Sequence, residues 1–146
     1  MPLTDAEKQL VTESFAKVAP ISETAAELFY NRLWEIDPDT KSLFKATNMK
    51  EQGRKLMQTL ATAVGALYNL DAVVPVVEQL GKRHIAYGVK QTHYATVGAA
   101  LLWTLEQGLG ADFTPEVKDA WTKVYGILAD VATRAYGVDT SNANPN

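Results

Sequence analysis

At 146 residues, 47% hydrophobic and 21% charged, the chain has the size and balance of one domain with a single core. A net charge of -3 and a pI near 5.4, with basic residues interspersed among acidic ones, argue against nucleic acid as a partner. The absence of cysteine removes disulfides, thiolate metal sites, cysteine nucleophiles and thioether-linked pigments, and fits a reducing compartment. Met1 to Val11 carries no signal-peptide core, and no apolar run approaches the ~20 residues of a bilayer span. The expectation is a soluble, cytoplasmic protein with no membrane partner.

Helical periodicity dominates, and no alternating strand pattern persists. Thr4 with Glu7 reads as a capping box opening a first helix with Leu10, Val11, Phe15 and Val18 on one side. Pro20 interrupts it. Ser22 is the expected cap of a second helix through Leu28, Phe29, Tyr30, Leu33 and Trp34, which Asp37-Pro38-Asp39 ends. A short turn then reaches Leu43 and Phe44, and Lys45 to Lys50 reads as a loop. A long helix from about Glu51 to Leu67 follows, with Leu56, Leu60, Val64 and Leu67 at spacings of four, four and three. Asn69 to Asp71 breaks it.

The next segment sets Val73, Val77, Leu80 and His84 on one apolar face, and Gly88 is its natural stop. Thr92 is the expected cap of a helix with Tyr94, Val97, Leu101, Leu102 and Leu105, closed by Gly108 and Gly110. Thr114-Pro115-Glu116 has the hydroxyl, proline and acid of a helix start. Val117, Trp121, Val124, Leu128 and Val131 give that last helix its buried face. The predicted domain is 1–137, and 138–146 is expected to be a disordered polar tail. Helices of uneven length joined by short connections predict an all-α domain that is not a simple four-helix bundle.

Few residues offer chemistry. Of the two histidines, His93 reads as a surface residue, while His84 on its apolar stripe is either a satisfied core residue or a ligand. Two histidines nine apart with no thiolate do not make a zinc site. Gly81 stands alone rather than in a phosphate loop, and no serine sits in a nucleophile motif. Asp37 and Asp39 flank a proline turn and read as solvated. Periodicity alone stops at a soluble helical domain.

Three blocks carry more. They are Leu28-Phe29-Tyr30-Asn31-Arg32-Leu33-Trp34 with Asp37-Pro38 and Leu43-Phe44; Gln52-Gly53-Arg54-Lys55-Leu56-Met57; and Leu80-Gly81-Lys82-Arg83-His84 through Gly88-Val89, Tyr94, Val97-Gly98, Ala120-Trp121 and Tyr125-Gly126. In order and spacing the chain resembles the globins, specifically the bacterial single-domain haemoglobins and the globin domain of flavohaemoglobins. Its C-terminal half is also similar to neuroglobin. The resemblance implies a globin fold of six to eight helices around a pocket for haem b.

On the matching positions, the resemblance makes His84 the proximal iron ligand through Nε2 and Phe44 the ring packed on the porphyrin. Gln52 is the polar distal residue, Leu56 the apolar one a turn later, and Tyr30 the phenol aimed at bound ligand. Lys55, Arg83, Val89 and Tyr94 complete the implied haem contacts, with Lys55 placed to pair a propionate or to swing in as a weak sixth ligand. Gln52 stands where neuroglobin has histidine, which argues against a closed bis-histidyl iron. Tyr94 matches a proximal tyrosine of the flavohaemoglobins. Tyr136, however, stands where they place a glutamate, and a neutral phenol gives the imidazole less push than a carboxylate.

The implied function is reversible binding of oxygen, and of carbon monoxide or nitric oxide, with high oxygen affinity, for oxygen binding, storage or delivery. An alternative is nitric oxide dioxygenase with a separate reductase, since 146 residues leave no room for a reductase domain. A further alternative is a gas sensor or a haemless interaction module.

Overall fold

The computed structural model describes the backbone of residues 3–143 and the side chains of 3–69 and 71–134. Six α-helices and no strand occur among the described residues, in the arrangement the all-α reading predicts.

Helix α1 (Asp5–Val18) opens on the expected capping box: Thr4 Oγ1 accepts from the Glu7 N–H at 3.1 Å, and the Glu7 carboxylate accepts from the Thr4 N–H at 2.9 Å. Its buried face rests on α6 (Pro115–Ala143). There the Trp121 indole donates to Ser14 Oγ at 2.8 Å, and the Ser14 hydroxyl donates to the Leu10 carbonyl at 2.7 Å. The polar groups that this burial would otherwise strand are therefore satisfied. Phe15 packs against Trp121 with ring centroids 6.3 Å apart.

Pro20 sits in a 3-10 turn, Ala19–Ile21, that runs straight into α2 (Ser22–Ile36). Ser22 is not the cap that the sequence predicts. Its own N–H bonds to the Ala19 carbonyl, so the turn supplies the acceptor and Ile21 caps without a side-chain bond. After Asp37 a 3-10 segment, Pro38–Phe44, brings Phe44 back beside α2. Helix α3 (Met49–Gly65) starts inside the predicted loop because Asn48 accepts from the Glu51 N–H at 3.1 Å and caps it there. Helix α3 ends at Gly65, two residues before the predicted Leu67, and α4 (Leu70–Ala86) begins inside the predicted break of Asn69 to Asp71.

The end of α4 is fixed by a six-residue closure. Val89 N–H bonds to the His84 carbonyl at 2.9 Å, and Gly88 N–H to that of Ile85 at 3.1 Å. Gly88 adopts φ 88°, the left-handed conformation this Schellman arrangement requires. Helix α5 (His93–Leu109) stops at Gly110, φ 56°, with Gly108 still inside the helix. Thr92 precedes α5 without making a side-chain cap bond. Thr114 caps α6 as expected, accepting from Val117 N–H at 3.2 Å. Helix α6 continues past Gly137 to Ala143, into the stretch predicted as a tail. The side chain of Tyr136 lies outside the described residues.

Two separate supports define the site. Helix α3 packs on α2 and α1, whereas α4 packs on α6 through Val73, Val77, Val131 and Ala132. Each contact is set by a glycine. A Cβ at Gly53 would stand 2.9 Å from the Ala26 Cβ, and one at Gly81 would run into the Ala132 carbonyl. These close approaches position α3 and α4 independently. Among the described residues no helix is long and apolar enough to cross a membrane.

Candidate functional site

On the α2–α3 side, the Gln52 amide Nε2 donates to the Tyr30 hydroxyl oxygen at 3.3 Å. Tyr30 is buried, and burial pushes its phenol above the ordinary tyrosine range, with the Gln52 hydrogen bond pulling the other way. It therefore stays protonated at neutral pH. Because its oxygen accepts from Gln52, its O–H remains available to a further acceptor. Three rings hold it: Phe29 edge-on at 4.9 Å, Phe44 at 5.3 Å and Trp34 at 6.1 Å between centroids. Leu56, one turn beyond Gln52, is half-buried against the same core.

On the α4 side, His84 Nδ1 and the Tyr94 hydroxyl lie 3.1 Å apart. Burial, with a smaller contribution from the Arg83 charge, holds the imidazole below its ordinary pKa and hence neutral near pH 7. With Nδ1 engaged by the phenol, Nε2 is the nitrogen left to coordinate. Tyr94 is itself held: the Tyr125 hydroxyl donates to the Tyr94 carbonyl at 2.6 Å, and burial raises the Tyr125 phenol's pKa strongly. Tyr125 can lie over α5 only because residue 98 is glycine, where a Cβ would stand 2.8 Å from its ring.

The structure thus joins Tyr30 to Gln52 and Phe44, and His84 to Tyr94. Val89 is half-buried beside the α4 terminus, and Leu43 approaches Gly88. Lys55 and Arg83 are exposed and join neither polar pair. His93, predicted at the surface, is largely covered: Nδ1 accepts from the Lys90 N–H at 2.9 Å, and Nε2 lies 4.0 Å from Asp37. Capping the turn before α5 draws its ring inward. Trp34, Gly53, Gly81, Gly98 and Tyr125 shape the site without being singled out for it by sequence. Their signals are weak ones, since a glycine needed for helix contact looks like any helix glycine.

A groove of about 480 Å³ runs along the α2–α3 crossing, lined by Ala26, Tyr30, Trp34, Gly53 and Met57 among others. It reaches the ring of Tyr30 from outside.

Among the described residues no three His, Cys, Asp or Glu side chains gather around one point. A metal bound through His84 would therefore take its other ligands from a cofactor. The half-buried apolar side chains Phe44, Leu56, Leu60 and Val97 suit the faces of a flat macrocycle. Fold and site together describe an all-α protein with a phenol–amide pair on α2 and α3 and an imidazole–phenol pair on α4 and α5.

Comparison with known proteins supplies the family. The globin family model matches residues 27–132. The flavohemoprotein of Bacillus subtilis (strain 168) is 34% identical over 110 residues, covering 74% of this chain and 28% of that protein. That of Rhodopirellula baltica is 32% identical over 127 residues, covering 84% and 31%. That of Bacillus thuringiensis subsp. konkukian is 41% identical over 106 residues, covering 70% and 25%. A crystal structure of a hexacoordinated heme protein from an anhydrobiotic tardigrade at pH 4 shares the fold. It superposes with a TM-score of 0.83 at 18% identity, over 91% of this chain and 94% of that one.

The chain belongs to the globin family. It spans about a quarter to a third of the length of the flavohemoproteins it matches. Haem is its cofactor, and the neutral imidazole, the apolar faces and the phenol–amide pair all fit that group.

Proposed function

We propose that this globin binds oxygen reversibly and with high affinity, and that carbon monoxide and nitric oxide compete for the same place. Bound through His84 Nε2, haem supplies an iron with one coordination position left for a diatomic gas. The observation carrying this reading is the Tyr30–Gln52 pair. Gln52 donates to the phenol oxygen, which orients Tyr30 and polarises its O–H toward an acceptor beside it. A diatomic ligand with partial negative charge is such an acceptor. Tyr30 is buried among Phe29, Trp34 and Phe44, so a hydrogen bond from its phenol competes less with solvent.

On the proximal side, with Nε2 on the metal, the Nδ1–H of His84 would donate to the Tyr94 oxygen 3.1 Å away and so fix the ring plane. An amide already engaged with Tyr30 is not placed to coordinate, and Lys55 is exposed. We therefore expect a five-coordinate ferrous protein, unlike the hexacoordination stated for the tardigrade relative.

The hydrogen bond from Tyr30 is expected to contribute ~1–3 kcal/mol in a dry pocket, about tenfold or more in dissociation rate. Stopped-flow measurement on Tyr30→Phe should show oxygen leaving at least about tenfold faster than from the unmodified protein. An unchanged rate removes Tyr30 from the mechanism.

A second reading is nitric oxide dioxygenase, favoured by the relatives' name, flavohemoprotein, at 32–41% identity. Tyr30 and Gln52 would hold oxygen in the same way while nitric oxide attacks it to give nitrate. Turnover then requires an electron supply. Nitrate formation that continues past one equivalent only when a reductase is added supports this reading; none with the reductase present excludes it.

A further inference from the structure

His93 joins two segments of the fold that lie far apart in sequence. Its side chain is only 12% exposed, and that of Asp37 30%. The ring Nδ1 accepts from the Lys90 N–H at 2.9 Å, and the His93 N–H donates to the Lys90 carbonyl at 2.9 Å. Thr92 makes no side-chain cap bond, so His93 supplies the side-chain bond that holds the turn into α5. On the other edge of the ring, Nε2 lies 4.0 Å from the Asp37 carboxylate. Asp37 is itself fixed, because its carbonyl accepts from the Thr40 N–H at 3.0 Å and from the buried Thr40 hydroxyl at 2.7 Å.

Both ends of this contact lead to the site. Asp37 precedes the 3-10 segment that ends at Phe44, whose ring meets Tyr30. His93 directly precedes Tyr94, whose hydroxyl lies 3.1 Å from His84 Nδ1.

Because Nδ1 accepts from Lys90, the neutral ring carries its proton on Nε2, the nitrogen nearer Asp37. A second proton occupies Nδ1. Two N–H groups then face each other, and the Lys90 bond is lost. The same proton gives the ring a charge that the Asp37 carboxylate attracts. Acid thus trades a backbone partner on the turn for a carboxylate beside the 3-10 segment. Among the described residues Asp37 is the only carboxylate within 4.0 Å of the ring. Asp39 and Lys41 on the 3-10 segment, Arg83 on α4 and Lys90 on the turn are exposed, while Arg32 and Glu35 on α2 pair with each other.

We propose that His93 is a positioning residue operated by protons. Neutral, it holds the turn that presents Tyr94 to His84. Protonated, it releases that turn and draws toward Asp37. The switch lies in the chain's own hydrogen bonds and does not rest on the gas-binding reading.

The test uses holoprotein loaded with zinc protoporphyrin, which is diamagnetic, and follows the Lys90 amide by NMR between about pH 8 and 5. Relative to its intrinsic rate, exchange of that amide should rise about tenfold as the ring nitrogen shifts report protonation of His93. In His93→Asn the side-chain oxygen accepts from the same N–H but does not titrate, so protection should persist across the range. Asp37→Asn should keep the neutral form protected and move the transition to lower pH. With iron haem in place, acid should accelerate haem transfer to an acceptor apoprotein about threefold more in the unmodified chain than in His93→Asn. Titration of His84 is common to both and cancels in that comparison.

Lys90 protection that is unchanged while His93 protonates overturns the proposal. So does the same pH dependence in His93→Asn, which would assign the transition to another group. A transition that Asp37→Asn does not move removes the carboxylate and with it the exchange of partners. Equal acid acceleration of haem transfer in the two chains would leave His93 a role in the fold alone and contradict its positioning of Tyr94.

Discussion

A tyrosine stands in each of the two polar pairs, and the two are set up in opposite senses. Tyr30 accepts a hydrogen bond from Gln52 and keeps its own O–H for whatever enters the pocket. Tyr94 lies 3.1 Å from His84 Nδ1 and is anchored through its backbone by Tyr125. One phenol is a donor held ready; the other is a brace. The difference lies in the neighbours, because an amide donor faces the first and an imidazole nitrogen the second. The two supports differ as well. Gly53 meets a side-chain methyl at Ala26, while Gly81 meets the backbone carbonyl of Ala132.

The largest expected effect breaks the proximal support alone. Gly81→Ala would drive a methyl into a carbonyl that cannot yield, and should destabilise the fold by about 2–3 kcal/mol in urea unfolding. Gly53→Ala should cost less, about 1 kcal/mol net, because at 2.9 Å the Ala26 Cβ can yield only by a shift of α2 against α3, a strain that a gain of about 1 kcal/mol in helix propensity offsets in part. Equal losses at the two glycines would mean the supports are not different in kind.

The tyrosines give the next effect. Tyr94→Phe removes the partner of His84 Nδ1 and should speed haem transfer to an acceptor apoprotein by about tenfold. Oxygen dissociation, which Tyr30→Phe accelerates, should change by no more than about threefold in Tyr94→Phe. If Tyr94→Phe instead reproduces the oxygen effect of Tyr30→Phe, the two sides are coupled and the contrast fails.

Gly88→Ala strains the closure that ends α4 and should cost about 1–2 kcal/mol, read as a lower Tm. The smallest effect lies away from both sides. Lys123, together with the Thr4 backbone, holds the Glu7 carboxyl below its ordinary 4.5. A lowered folded pKa gives stability that is present above 4.5 and lost as pH falls through the folded value. Glu7→Gln should therefore flatten the acid limb of the stability profile slightly, leaving haem and oxygen kinetics unchanged.

Much of this was legible in the sequence where a residue's type and spacing imply one local geometry. The Thr4–Glu7 box, the stop at Gly88 and the Thr114-Pro115 start each satisfy backbone groups within a few residues, so no distant partner is needed to read them. His84 was legible only in part: its stripe left core and ligand open, and the resemblance had to choose. Less visible were features that depend on contacts across the fold. The Gln52–Tyr30 bond spans 22 residues, and Tyr125 reaches Tyr94 across 31. Gly81 looked isolated because its partner, Ala132, lies on another helix.

The central claim is that His84 holds haem with one position open beneath Tyr30. Its most direct test is the absorption spectrum of the purified protein, ferric and then reduced with dithionite, before and after carbon monoxide. The account predicts a Soret band, a five-coordinate ferrous spectrum that shifts on adding carbon monoxide, and loss of haem in His84→Ala. A six-coordinate ferrous spectrum that carbon monoxide does not change, or no Soret band after adding hemin, would contradict it.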